Sequence, residues 1–291
     1  MYYVLYGFFY LISLLPFWLL YGISYIAYLL IYYVIKYRKN VVLSNLAIAF
    51  PDKTNEERKR IAKKFYKNFT DNFIEVIKLF SISSAQLHKR FSWNPEDLNK
   101  YYATGRNVQA HLGHFFNWEY ANLSLSLQSV FKVLVVYMPI ANKAIDKVFI
   151  KLRTRFDAKM IGATHFLRDF KPYSKDRTCL IFVADQNAGH YNLAYWIPFF
   201  GKLAPFVTGP EKTARLNNSI CIYAKFKKLK RGHYHVSIKE ITKEPRQLEE
   251  GALTKRIRDF VEENISEQPE DYLWTHRRWK RTFDPAKHRA L

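Results

Sequence analysis

From Met1 to Ile35 the chain carries no charged side chain, and its run of Leu, Ile, Phe and Tyr is broken by Pro16 and Gly22. Crossing the hydrocarbon core takes about 20 apolar residues. This stretch is too short for two spans and longer than one upright span, which predicts a tilted helix or a break near Pro16 with one part in the interface. Tyr2, Tyr3 and Tyr6 at one end and Tyr32, Tyr33 and Tyr37 at the other suit the headgroup zones. Lys36, Arg38 and Lys39 follow at once, and the positive-inside tendency places the remaining chain in the cytoplasm. A cleaved signal peptide would carry a charged start and a small-residue cleavage site, and neither is evident. The expected organisation is a single-pass membrane anchor over 1–36 and one domain over 37–291.

Beyond the anchor the pattern becomes periodic. Ile61, Phe65, Phe69, Phe73, Ile77 and Phe80 recur every three or four residues, predicting an amphipathic helix over 54–80. Thr54 and Glu57 have capping-box spacing at its start. Arg58, Lys59, Arg60, Lys63, Lys64 and Lys67 crowd its first half, as either a solvated face or one resting on anionic headgroups. From about residue 105, strand-like runs appear at 108–111, 131–137, 179–184, 219–223 and 233–241. Helix-length segments fall at 118–128, 142–156, 209–216 and 248–265. Strands alternating with helices predict an α/β domain with a largely parallel sheet flanked by helices.

Composition narrows the partners. Lys and Arg number 46 against 25 Asp and Glu, a net charge of +21 in 291 residues. All of it falls after residue 35, so an anionic partner is expected for the domain. Nucleic acid is disfavoured, because the basic residues are dispersed and the anchor holds the domain at a membrane. Two cysteines cannot form a disulfide framework, which points to a reducing compartment.

The candidate chemistry lies in Val108–Glu119. A strand ends near His111 and a helix begins near Asn117, and ligands gather at the carboxyl ends of strands in such sheets. His114 falls in the turn and Glu119 in the first helical turns. A carboxylate on one imidazole nitrogen fixes the tautomer and makes the other nitrogen a base for a hydroxyl. His111 could join these two in a metal set, but the helical H-E-x-x-H signature is absent and no metal is expected. There is no Gly-rich phosphate loop and no G-x-S-x-G elbow, so nucleophilic serine or cysteine catalysis has no foothold.

The stretch His114-Phe-Phe-Asn-Trp-Glu119 resembles the H-x-x-x-x-(D/E) motif of glycerolipid acyltransferases, and its Glu form is similar to the lipid A late acyltransferases. Asn45-Leu-Ala-Ile-Ala-Phe-Pro51 resembles the N-terminal element of that family. Ala184-Asp185-Gln186, Trp196-Ile-Pro198-Phe-Phe-Gly201 and Thr208-Gly-Pro210 resemble its central block. The segment from Pro269 to Lys280 resembles its C-terminal signature. The resemblance implies an inner-membrane enzyme facing the cytoplasm. It would move a fatty acyl chain from acyl carrier protein to a hydroxyl of a lipid A precursor, without a cofactor or a covalent acyl-enzyme. His114 would be the general base and Glu119 would orient it.

Asp185, Gln186, Asn45, Arg277 and Arg278 are then expected to bind substrate, and Trp118, Trp196, Phe199 and Phe200 to wall an acyl pocket. Trp274 and Trp279 among Arg277, Arg278, Lys280 and Arg281 fit an interfacial patch or a solvated surface. The sequence departs from the pattern at Tyr137-Met138-Pro139, where the family has a basic residue in place of Met138. Either Lys132, Lys143 or Arg153 substitutes, or the acceptor is another lyso-, amino- or glycolipid.

Overall fold

The computed structural model describes residues 1–291. The uncharged N-terminal stretch forms two helices, α1 (Tyr2–Leu14) and α2 (Phe17–Leu29), and α2 runs on through a π-helical turn to Ile35. Leu15 is extended and Pro16 has no N–H to give, so the helix breaks there. The continuous helix Phe17–Ile35 is long and apolar enough to cross a membrane. Two helices follow, α3 (Lys39–Ala49) and α4 (Asn55–Lys78). The α4 N-terminus carries the expected capping box, with the Thr54 side chain accepting from Glu57 N and the Glu57 carboxylate accepting from Thr54 N.

The remaining elements are, in order, α5 (Ser84–Arg90), β1 (Phe91–Ser92), α6 (Glu96–Asn99), β2 (Val108–Leu112), α7 (Trp118–Gln128), β3 (Lys132–Tyr137), α8 (Lys143–Arg153), β4 (Lys159–Gly162), α9 (Phe166–Phe170), β5 (Thr178–Val183), β6 (Tyr195–Phe199), β7 (Lys202–Phe206), α10 (Gly209–Asn217), β8 (Ile220–Lys230), β9 (His233–Thr242), α11 (Ala252–Glu267) and β10 (Arg289–Ala290). A seven-stranded sheet takes the order β1-β9-β8-β2-β5-β3-β4. All its pairs are parallel except β8 with β9. A smaller sheet, β10-β6-β7, stands apart.

β2 is central and buried at every position, as a strand covered on both faces must be. Val108, Ala110 and Leu112 join the main core with Leu123 of α7 and Val261 of α11. Gln109 and His111 alternate onto the opposite face, where the His111 ring stacks on Phe182. Burial pushes His111 down to about 3, so it is a neutral core histidine.

The expected stripe on α4 holds at Phe65 and Phe69, which are buried, whereas Phe73 is half exposed. Thr70, Asp71, Asn72, Glu75 and Lys78 are buried on the same helix. The reason is that α4 is covered twice, by the domain on one side and by α1 and α2 on the other. Lys59, Arg60, Lys63, Lys64 and Lys67 stay exposed.

Candidate active site

The turn after β2 is set by packing before chemistry. A Cβ on Gly113 would come within 2.6 Å of the Phe115 ring, so glycine is what lets the chain turn tightly. The C-terminal segment then pins the turn: Leu273 N donates to His114 O at 3.0 Å and Phe116 N to Asp271 O at 3.0 Å. That segment is held in turn by Asn45 of α3, whose amide donates to Trp274 O at 2.8 Å and His276 O at 2.7 Å. The Asn45 amide protons are therefore committed to the backbone. Asn45 acts as a clamp between the two terminal parts of the chain, and its expected substrate contact is corrected accordingly.

Parallel register decides what His114 meets. Leu112 of β2 pairs with Val183 of β5, so two residues further on His114 and Asp185 stand side by side. The His114 Nδ1 bonds Asp185 Oδ1 at 2.5 Å, and the His114 backbone N–H donates to Oδ2 at 3.1 Å. The Asp185 side chain is 1 % exposed and that of His114 is 19 % exposed. Burial acts to raise the Asp185 carboxyl, but the neighbouring His114 and bonds from His114 and Tyr272 outweigh it and hold it at about 2. An ionised carboxylate on Nδ1 leaves Nε2 as the accepting nitrogen.

Glu119 does not orient His114 in this structure. Its carboxylate takes Arg153 Nε at 3.1 and 3.0 Å and Nη2 at 2.6 Å, and Trp118 Nε1 at 3.1 Å. The first turn of α7 directs this side chain toward the end of α8, and a planar guanidinium satisfies both carboxylate oxygens at once. Burial lowers the basicity of Arg153, but the Glu119 charge and its bonds more than reverse this, so its pKa is raised.

An apolar cavity of about 820 Å³ opens beside this group. His114, Trp118, Glu119, Arg153 and Gln186 line its polar end. Ala110 and Leu112 of β2, Ile181 of β5, and Phe226, Val236 and Ile238 of β8 and β9 continue it along the sheet. Cys179 also lines it, and burial pushes that thiol up to about 12, which leaves no thiolate for nucleophilic attack. Met138 sits on the wall and is 65 % exposed. Of the three bases named as substitutes, Arg153 reaches the cavity, Lys132 is paired with Asp176 and Lys143 is exposed on α8.

Three of the four expected pocket aromatics lie elsewhere. Trp118 lines the cavity, but Trp196 stacks on His288, Phe199 stacks on Trp279, and Phe200 packs against Phe50. They form the core beneath the small sheet and hold the C-terminal tail. Arg278 is buried there too, donating to Asn187 Oδ1 at 2.8 Å and Pro205 O at 3.0 Å over the Phe206 ring. It braces the loop after Asp185 and does not line the cavity. Arg277 is exposed. Trp274 and Arg278 are buried, whereas Arg277, Lys280 and Arg281 are exposed, so the C-terminal cluster expected as an interfacial patch or solvated surface is only partly at the surface.

The match to known proteins spans the same elements. The family model of the bacterial lipid A biosynthesis acyltransferases covers residues 1–281. The lipid A biosynthesis palmitoleoyltransferase of Escherichia coli is 23 % identical over 250 residues, 84 % of this chain and 80 % of its own length. A lipid A biosynthesis acyltransferase of Haemophilus influenzae is 20 % identical over 234 residues, 79 % of this chain and 72 % of its own length. Carrying the H-x-x-x-x-E motif on the turn between β2 and α7 and matched over nearly its whole length, the chain belongs to the bacterial lipid A biosynthesis acyltransferase family.

Proposed function

We propose that the protein moves a fatty acyl chain from acyl carrier protein to a hydroxyl of a lipid A precursor, at the cytoplasmic face of the inner membrane. His114 is the general base, and Asp185 takes the orienting role that the sequence assigned to Glu119. The observation that carries this reading is the His114–Asp185 pair standing at the polar end of an apolar cavity of about 820 Å³. Such a cavity suits an acyl chain, and few polar groups are needed to fix its reactive end.

The steps follow from these groups. Asp185 holds Nδ1–H, so Nε2 takes the proton of the acceptor hydroxyl as its oxygen attacks the thioester carbonyl. The tetrahedral intermediate collapses with cleavage of the C–S bond, and the leaving thiolate receives that proton from the imidazolium. Ester and free carrier thiol result, with no acyl-enzyme. Glu119 binds the Nε–Nη2 edge of the Arg153 guanidinium and leaves Nη1 without a protein partner. That cation is positioned for an anionic oxygen of the substrate or of the intermediate. Exposed Arg277, and Lys212 on the cavity wall, are further bases for acceptor phosphates. The net charge of +21 favours approach of an acidic carrier protein.

The test is acyl transfer by the full-length protein in mixed micelles, with acyl carrier protein and coenzyme A thioesters compared as donors. The carrier thioester is expected to be preferred. His114→Ala is expected to lower turnover by roughly 10²- to 10⁴-fold, the usual yield of a positioned base. Near-normal turnover in that variant would exclude the general-base role.

A further inference from the structure

We propose that α1 and α2 lie in the plane of a single leaflet, so that Phe17–Ile35 rests on an anionic bilayer without crossing it. This departs from the single-pass anchor expected from the length of residues 1–35, and it holds whichever lipid is the acceptor.

The argument begins with what binds the inner face of α2. Leu20, Ser24, Tyr28 and Tyr32, spaced every four residues, are buried along α4. Charged groups of the folded domain meet this face at successive turns. Arg90 lies 3.3 Å from the Phe17 ring centroid. The Tyr21 hydroxyl donates to Glu75 at 3.0 Å, and Ser24 donates to Asp71 at 2.6 Å. Asp71 is in turn bonded by Arg231 from the β8–β9 turn, and Arg231 also donates to the Tyr21 carbonyl. Lys67 and Lys39 stand over the Tyr28 and Tyr32 rings.

A crossing helix of this length would put its midpoint near Ile26, roughly 14 Å from either end. Asp71, Glu75 and Arg231 are attached within about a turn and a half of that point, and they belong to α4 and the sheet. Crossing therefore requires either carrying these ionisable side chains into hydrocarbon, where they are costly, or tearing α2 from α4. Lying in the interface requires neither.

The elbow fits the same geometry. The carbonyls of Ser13 and Leu15, freed where Pro16 breaks the helix, accept from Lys78 of α4 at 2.7 and 3.0 Å, and Ser81 also donates to Ser13. Both helices are thereby fixed against the domain. Their outward faces are apolar, with Val4, Phe8 and Leu11 on α1 and Trp18, Ile26 and Val34 on α2 all exposed. Exposed Lys36, Arg38, Lys63 and Lys67 lie at the far end of α2, where lysine and arginine attract anionic headgroups. A helix pair with one face apolar and a basic rim is the arrangement of an interfacial anchor.

The experiment uses the full-length chain with a hydrophilic, protease-cleavable extension before Met1, in sealed vesicles containing anionic phospholipid. Exposed Leu193→Cys reports which molecules have their domain outward, since Cys179 and Cys221 are buried. An impermeant maleimide and the protease are added without detergent. The extension is expected to be removed from nearly all molecules whose Leu193→Cys thiol is labelled. An extension that survives until detergent is added would show that the helix crosses and would overturn the proposal. Recovery of the protein as a soluble oligomer that does not float with the vesicles would also overturn it, by showing that a second copy covers this face.

Discussion

Asp185→Asn separates the charge of the orienting group from its shape. The Asp185 carboxyl is held at about 2, below its ordinary value of 3.8 in an unfolded chain. That depression corresponds to about 2–3 kcal/mol of folding free energy at neutral pH. The side chain is 1 % exposed, so solvent screening removes little of it. Because the folded value is the lower one, this stability is present above about pH 4 and is lost as pH falls toward 2. The variant has no such group to titrate. Urea unfolding in detergent should therefore place it about 2–3 kcal/mol below the native protein at pH 7, with the difference closing between pH 4 and pH 2. Turnover should fall by roughly 10²- to 10⁴-fold, since an amide does not hold the imidazole as an ionised carboxylate does. A stability difference that stayed constant from pH 7 to pH 2, or an Asp185→Asn enzyme with native turnover, would refute the assignment of Asp185 as the ionised partner of His114.

Other substitutions probe the surrounding parts. Glu119→Gln leaves Arg153 a largely buried cation without its counter-charge and should cost about 3–5 kcal/mol in urea unfolding, part of which Arg153→Met in the same chain should restore. Ala110→Leu narrows the cavity alongside β2 and should shift donor preference toward shorter chains in a competition assay, by roughly tenfold or more for each methylene excluded. Asn45→Ala strips donors from two carbonyls and should lower thermal stability by about 1–3 kcal/mol, while the remaining folded enzyme keeps its KM for the acceptor. A raised KM without loss of stability would return Asn45 to the substrate site.

Local pattern revealed much of this architecture. The helix over 118–128 is found as Trp118–Gln128, and the strand over 108–111 gains only Leu112. The small sheet was not legible, because Trp196, Phe199 and Phe200 form an apolar run that fits a pocket wall as well as a strand. The outer half of β8 was hidden by its lysines. The basic run Lys225–Arg231 carries no strand signal, yet Lys225–Lys230 pairs with β9, and Lys225 is held there by Glu263 and Glu267.

The site shows the same division between near and distant partners. His114 stands out from its place in the motif, and the motif and its turn-to-helix placement pair it with Glu119. The actual partner, Asp185, is 71 residues away and arrives only through the parallel pairing of β2 with β5. Arg153 likewise reaches Glu119 from α8, 34 residues on. Side chains that meet through strand register or helix packing leave no mark in spacing, whereas a turn followed by a helix does.

The central claim is acyl transfer to a lipid A precursor with His114 as the base. Its most direct test is mass spectrometry of lipid A from cells lacking this protein, complemented with either the native chain or His114→Ala. The native chain should restore one acyl increment that the deletion has lost, and His114→Ala, present at equal abundance, should not. Unchanged lipid A in the deletion, or full restoration by His114→Ala, would contradict the account.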